Sequence, residues 1–159
     1  MKSTHMRQSF IFVLLMVAVA ALAQTQPAAN NDYSGMYSFL KEDEFVQLNL
    51  EAAGKVTGFV SRYGDSESDR GAFLDHFFKQ ASRSGNQIQF TTEQVHGVWF
   101  EFKGTVQRGA GKTPDDEAYY EMTGTLTEYS LDQDKKTSAR SREVTFKSFP
   151  RDVANDKSR

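Results

Sequence analysis

The chain has 159 residues, 19 Lys and Arg against 21 Asp and Glu, three His and no Cys, for a formal net charge of −2. That length suits one domain with a respectable core and hardly two. The faint acidity speaks against a nucleic-acid partner, which needs positive charge gathered on one face, and the lack of cysteine excludes a disulfide framework, a thiol nucleophile and thiolate metal ligands.

At the N-terminus, Lys2, His5 and Arg7 precede the apolar run 10–20, which meets Ala21-Leu22-Ala23, a small-x-small site before Gln24. The run is shorter than the roughly 18 residues a membrane span needs, so residues 1–23 read as a cleaved secretory signal peptide. Residues 24–32 are then expected to be a flexible mature start, residues 33–149 the folded domain and residues 150–159 a disordered tail. Loss of Lys2 and Arg7 leaves the mature chain more acidic, with no membrane span remaining. A cysteine-free exported chain must be held by packing, as in bacterial envelope proteins, so the expected location is periplasmic or secreted.

Thirteen Phe and six Tyr lie among β-branched residues and short glycine turns, the composition of pleated, half-buried surfaces. Residues 35–40 open the fold as a strand. Residues 44–50 follow, with Val46, Leu48 and Leu50 on one face and Gln47 and Asn49 on the other; the turn 51–54 returns the chain as strand 55–62, a hairpin. Residues 72–82 admit two readings. Phe73, Leu74, Phe77, Phe78 and Ala81 fall at helical spacing, yet the same stretch pairs through Arg83-Ser84-Gly85-Asn86 with residues 87–92 as a hairpin, and the strand is preferred because a meander lacking it would leave its sheet uncovered. Strands are expected again over 98–108, 118–129 and 143–149, with polar loops over 63–71, 109–117 and 130–141.

Three of these strands share one pattern, apolar, polar, Gly, any, apolar: Val56-Thr57-Gly58-Phe59-Val60, Phe102-Lys103-Gly104-Thr105-Val106 and Met122-Thr123-Gly124-Thr125-Leu126. Alternation puts each glycine on the core side, where a sharply coiled or closing sheet needs room. The fold class expected is all-β, an antiparallel up-and-down meander of about eight strands closing into a small barrel. Gly35-Met36-Tyr37 at the first strand, Gly54-Lys55-Val56-Thr57-Gly58-Phe59 at the first hairpin, and the meander through Gly104 and Gly124 together resemble calycin-type barrels, the lipocalin and avidin group, and are similar to exported bacterial β-domains. Those families open on Gly-x-Trp, and here Tyr37 stands in place of the tryptophan. The resemblance spans most of residues 33–149 and implies a barrel that encloses a small ligand; it transfers no ligand contact residue by residue.

Chemistry-bearing clusters are few. Asp65, Glu67 and Asp69 sit at the first spacings of a calcium loop, but Arg70 occupies the glycine position and His76 the closing carboxylate position. His76 and His96 stand twenty positions apart with no close-spaced ligand partner, which falls short of a zinc site. No Gly-x-Ser-x-Gly is present, and the glycines of Gly109-Ala110-Gly111-Lys112-Thr113 are wrongly spaced for a phosphate loop. Arg62, Asp65, Asp69 and Arg70 suit ion pairs that tether a long connection, or a polar rim beside a pocket with Tyr63 and Trp99 as stacking surfaces.

The reading expected is therefore a binder, without catalytic role or cofactor, that takes a small, partly apolar molecule in the barrel mouth or interior, with Tyr37, Arg62, Tyr63, Arg70, His76, Trp99 and Tyr119 as candidate ligand-binding residues. The alternatives are an envelope interaction module with a packed core and, third, a metal-assisted hydrolase built on His76 and His96.

Overall fold

The computed structural model describes residues 32–151. The expected leader 1–23, the expected mature start as far as residue 31 and the expected tail from residue 152 onward lie outside the described residues. Eight strands follow in chain order: β1 (Gly35–Ser38), β2 (Phe45–Leu50), β3 (Val56–Tyr63), β4 (Phe73–Ser84), β5 (Gln87–Thr92), β6 (Val98–Arg108), β7 (Tyr120–Leu131) and β8 (Thr137–Lys147). Each pairs antiparallel with its sequence neighbour, in the order β1 to β8. Two single 3₁₀ turns, Ala52–Gly54 and Glu67–Asp69, are the helical elements among the described residues. None is long and apolar enough to cross a membrane.

The sheet curls until its ends meet. Tyr37 of β1 bridges Ser148, just past β8; the Phe149 amide donates to the Met36 carbonyl at 2.9 Å, and the Lys147 amide donates to Ser38 Oγ at 3.0 Å. This seam joins the sheet at the end that carries the chain termini. The other end carries the loops 39–44, 64–72, 93–97 and 132–136 and is called the loop end below.

The three patterned glycines face inward, as their spacing predicts. Gly104 and Gly124 lie directly opposite each other on β6 and β7. A Cβ on Gly104 would strike the Thr123 carbonyl and the Phe102 ring, and one on Gly58 would strike the Gln47 carbonyl and the Phe78 ring. Their bareness lets neighbouring backbones and core rings close on one another, which a tightly coiled wall requires.

Inside, alternation gathers Tyr37, Val46, Leu48, Val60, Ile88, Phe90, Phe100, Phe102, Met122, Leu126 and Phe146 into one buried cluster. Its spine is aromatic. Phe78 stacks on Phe90 at 4.3 Å, Phe90 on Phe102 at 5.4 Å, and Phe102 meets Phe146 at 5.7 Å. Phe39, from the loop after β1, rests on Phe146 and Phe100, each at 5.3 Å. At the terminal end Tyr33 packs edge-on against Tyr120, and its carbonyl accepts a 2.7 Å hydrogen bond from the Tyr37 hydroxyl. Burial drives the Tyr37 phenol far above its ordinary pKa and keeps it protonated.

Residues 73–84 form a strand, as the hairpin reading has it, with a bulge where the register shifts between Phe78 and Gln80. One boundary differs clearly from expectation. The last strand begins at Thr137, not at residue 143, so the polar loop is only 132–136. Its first half carries no apolar alternation because it is exposed on both sides; what holds it is the ladder to β7, reinforced by hydroxyl pairs such as Thr127 with Ser141 and Ser130 with Ser138.

Candidate functional site

The inward faces of the strands turn polar toward the loop end. On β3, two positions beyond Val60, comes Arg62; His76 of β4 lies opposite Val60. On β7, two positions beyond Leu126, comes Glu128, which faces Phe100 across the ladder, and Arg142 of β8 lies opposite Leu126. Thr92 closes β5 on the same side, and its hydroxyl accepts the Phe100 amide at 3.0 Å.

Phe100 is the hub. The His76 ring meets it edge-on at 5.2 Å, and the Arg62 guanidinium lies 5.7 Å from its centroid, a distance at which a cation is drawn to the ring face. Both polar side chains are out of solvent, with His76 at 0% and Arg62 at 6% exposure. Arg62 pairs through Nη2 with Asp65, to which Lys41 also reaches at 3.5 Å. Burial works to raise the Asp65 carboxyl, and the two cations outweigh it, holding its pKa below the ordinary value. The loops over the cluster are tied in as well: the buried Glu44 carboxylate accepts the Tyr63 amide at 3.1 Å and the Lys41 amide at 3.1 Å.

Among the described residues, the buried side-chain nitrogens without a hydrogen-bond partner are Arg62 Nε, Arg142 Nε and both ring nitrogens of His76. All four belong to inward positions at the loop end. Burial first, and the Arg62 cation second, push the His76 pKa down to about 4. The backbone of Glu93 and of Val98 lies close enough to favour the charged form slightly, yet neither ring nitrogen completes a hydrogen bond. The imidazole is therefore neutral at pH 7, one nitrogen an N–H donor and the other an acceptor. Arg142 donates through Nη2 to Glu128 at 2.8 Å.

Of the seven residues singled out from the sequence, Arg62 and His76 come together here. Tyr37 faces inward nearer the seam. Tyr63 and Trp99 sit on the outer wall, Tyr63 stacked on Phe73 at 4.3 Å and Trp99 on Tyr129 at 5.1 Å. Arg70 is exposed and lies 3.9 Å from Glu67. Tyr119 is at the terminal end beneath the Arg108 guanidinium, 3.4 Å from its ring centre. The ion-pair tether expected over residues 62–70 is present, extended by His96, whose Nδ1 lies 2.8 Å from Asp69. No set of three His, Asp or Glu side chains placed to hold a metal occurs among the described residues. Glu128 and Arg142 escaped the sequence reading although they carried a signal: each is a charge two positions from an apolar inward residue, Leu126 and Val144 respectively.

Two adjoining clefts, of about 440 and 370 Å³, lie along β4, β5 and β6 and share Ser82, Gln89 and Lys103 in their walls.

The chain is similar in structure to rhizavidin, solved as a biotin complex, with a TM-score of 0.55 and 10% identity over 77% of this chain and 97% of that one. Bradavidin2, also solved with biotin, matches with a TM-score of 0.49 and 12% identity, over 72% of this chain and 95% of that one. No protein-family model and no curated protein matches the sequence. The calycin-type resemblance thus holds at the level of fold: the chain forms an avidin-like antiparallel β-barrel.

Proposed function

We propose that the protein binds a small, partly apolar molecule at the loop end of the barrel, the apolar part against Phe39 and Phe100 and an acceptor-bearing group, a carboxylate or carbonyl, against Arg62, Arg142 and His76. The observation that carries this reading is that the four unpartnered buried nitrogens all stand on inward positions of three strands at the loop end, those of Arg62 and His76 beside the same Phe100 ring. A buried donor left unpaired costs on the order of 1–3 kcal/mol, and native structures keep such groups few; an acceptor arriving there recovers that cost, which makes the cluster a site of latent affinity. The avidin-like fold supports the reading by architecture, since small barrels hold ligands at their mouths.

Export to the periplasm or medium belongs to the same proposal and rests on the leader-like residues 1–23. Cell fractionation of the full-length chain, with the mature N-terminus read by mass spectrometry, checks it: the expected product starts at Gln24.

Binding is tested by thermal-shift and titration calorimetry against a panel of medium-chain monocarboxylates and their methyl amides. Saturation at 100 times Kd adds about 2.7 kcal/mol of stability, a shift of several degrees. Arg62→Met and Arg142→Met each remove one donor and are expected to abolish the shift for the carboxylates. A panel without a single binder, or binding that survives both substitutions, refutes the assignment.

One observation favours a second reading, an interaction module with a filled core. The run of touching rings from Phe78 through Phe90 and Phe102 to Phe146 and Phe39 belongs to the buried core, and small barrels can be packed solid. Under that reading the panel is silent and the working surface is the outer wall.

A further inference from the structure

The seam between β1 and β8 is short. β1 lies beside the end of β8 as far as Ser38 and then leaves it, because the Phe39 amide turns back to the Glu44 carbonyl at 2.9 Å. From Thr145 back to Ala139, β8 has β7 on one side and no strand on the other.

The parity of the ladder shows which groups face that open side. In antiparallel pairing the amide and carbonyl of one residue point to the same neighbour, and those of the next residue point the opposite way. The Leu131 amide reaches the Gly97 carbonyl on the β6 side, so odd-numbered residues of β7 face β6 and even-numbered ones face β8. The register joins even to even, Gly124 to Val144 and Leu126 to Arg142. The seam agrees: the Ser148 amide donates to Tyr120 beside β7, while the Lys147 and Phe149 amides donate to β1. Ala139, Ser141, Glu143 and Thr145 therefore hold their amides and carbonyls away from β7. All four are exposed, and none of these amides donates to another described residue.

Donors and acceptors repeating roughly every 6.8 Å along an edge are complemented by the backbone of another extended chain. Natural sheets guard such edges with charge, and here the guard is set against a second copy. Two β8 edges paired antiparallel about Ser141 bring Arg140 against Arg142; about Arg142 they bring that arginine against itself, and about Glu143 acid against acid. Like charges directly opposite destabilise a pair of strands. A different chain escapes this when it offers an acid beside Arg140. That guanidinium stands opposite Glu128 in register, but Arg142 takes the Glu128 carboxylate at 2.8 Å, and Arg140 forms no ion pair with another described residue.

We propose that the free edge of β8 takes an extended, acidic peptide segment of another protein as an added strand. The proposal stands apart from the loop-end ligand, since it rests on the β8 backbone and on Arg140.

The probe is the blocked peptide acetyl-Thr-Val-Thr-Glu-Thr-Val-Thr-amide, titrated to about 1 mM into the isotope-labelled protein and followed by amide NMR. In the free protein the Arg140, Arg142 and Val144 amides are expected to resist hydrogen exchange while those of Ala139, Ser141, Glu143 and Thr145 exchange freely; the peptide is expected to slow the second set by about tenfold or more. Methylating the peptide amides in alternate sets, the Thr set or the Val and Glu set, is expected to abolish binding in one case and spare it in the other, because one side of the added strand faces β8. Ser141→Pro removes an edge amide and no bond to β7, and is expected to abolish binding with unchanged far-UV circular dichroism. Arg140→Glu is expected to weaken binding about threefold to fivefold, and Lys in place of Glu in the peptide to recover it. Edge amides already protected in the free protein, no response of these amides to the peptide, binding that survives both methylated sets, or an Arg140→Glu variant indifferent to Glu or Lys overturns the proposal. A dimer of the peptide-free protein that Ser141→Pro dissolves overturns it in favour of a second copy.

Discussion

Replacing His76 by Gln isolates a specific pH dependence. The imidazole is enclosed among Val60, Phe100 and Arg62, and its pKa falls from the ordinary 6.5 to about 4. Above pH 6.5 it is neutral in the folded and unfolded chain alike and contributes no slope. Below 6.5 the unfolded chain takes up a proton that the folded chain refuses, so each pH unit removes about 1.4 kcal/mol from stability until the folded state also titrates near pH 4. The full loss is about 3 kcal/mol, a large share of the 5–15 kcal/mol that holds a typical domain. Acid residues titrate in the same window, so the measurement is a difference: urea unfolding of wild type and His76→Gln at half-unit steps from pH 7.5 to 4. Wild-type stability minus variant stability is expected to fall by about 3 kcal/mol across that span, all of it below 6.5. A flat difference, or one that rises as the pH drops, shows that the ring gains a partner on protonation and refutes the account of an imidazole held neutral by burial and by Arg62.

Gly104→Val drives a branched side chain into the Thr123 carbonyl and the Phe102 ring; overpacking of this kind costs about 1–3 kcal/mol or more, and the expected readout is a lowered urea midpoint with unchanged far-UV circular dichroism. Phe102→Ala removes the ring that joins Phe90 to Phe146 and is expected to cost about 3–5 kcal/mol by chemical denaturation. Thr92→Val takes away the acceptor of the buried Phe100 amide, and a loss of about 1–3 kcal/mol is expected from the unsatisfied donor, where a change below the error of the denaturation curve would show that the amide finds another partner.

The barrel was legible in the sequence because two independent constraints coincide in the same residues. Val98, Phe100, Phe102 and Val106 alternate cleanly, and the glycine in their gap, Gly104, is set inward opposite Gly124, so periodicity and curvature point the same way. The start of β8 was illegible for the complementary reason. Residues 137–142 bury no apolar face, and they pair because β7 offers a ladder, a fact that lies in another part of the chain. The site was half legible. Arg62 drew notice through the acids and the second arginine that follow it, and His76 as one of few histidines, while Glu128 and Arg142 drew none until the register placed them two steps from Leu126 and Val144. The face of Trp99 and Tyr63, both on the outer wall, was not legible because ring type announces a binding surface without saying which face of the sheet it is on; a strand shift of one residue exchanges the two faces.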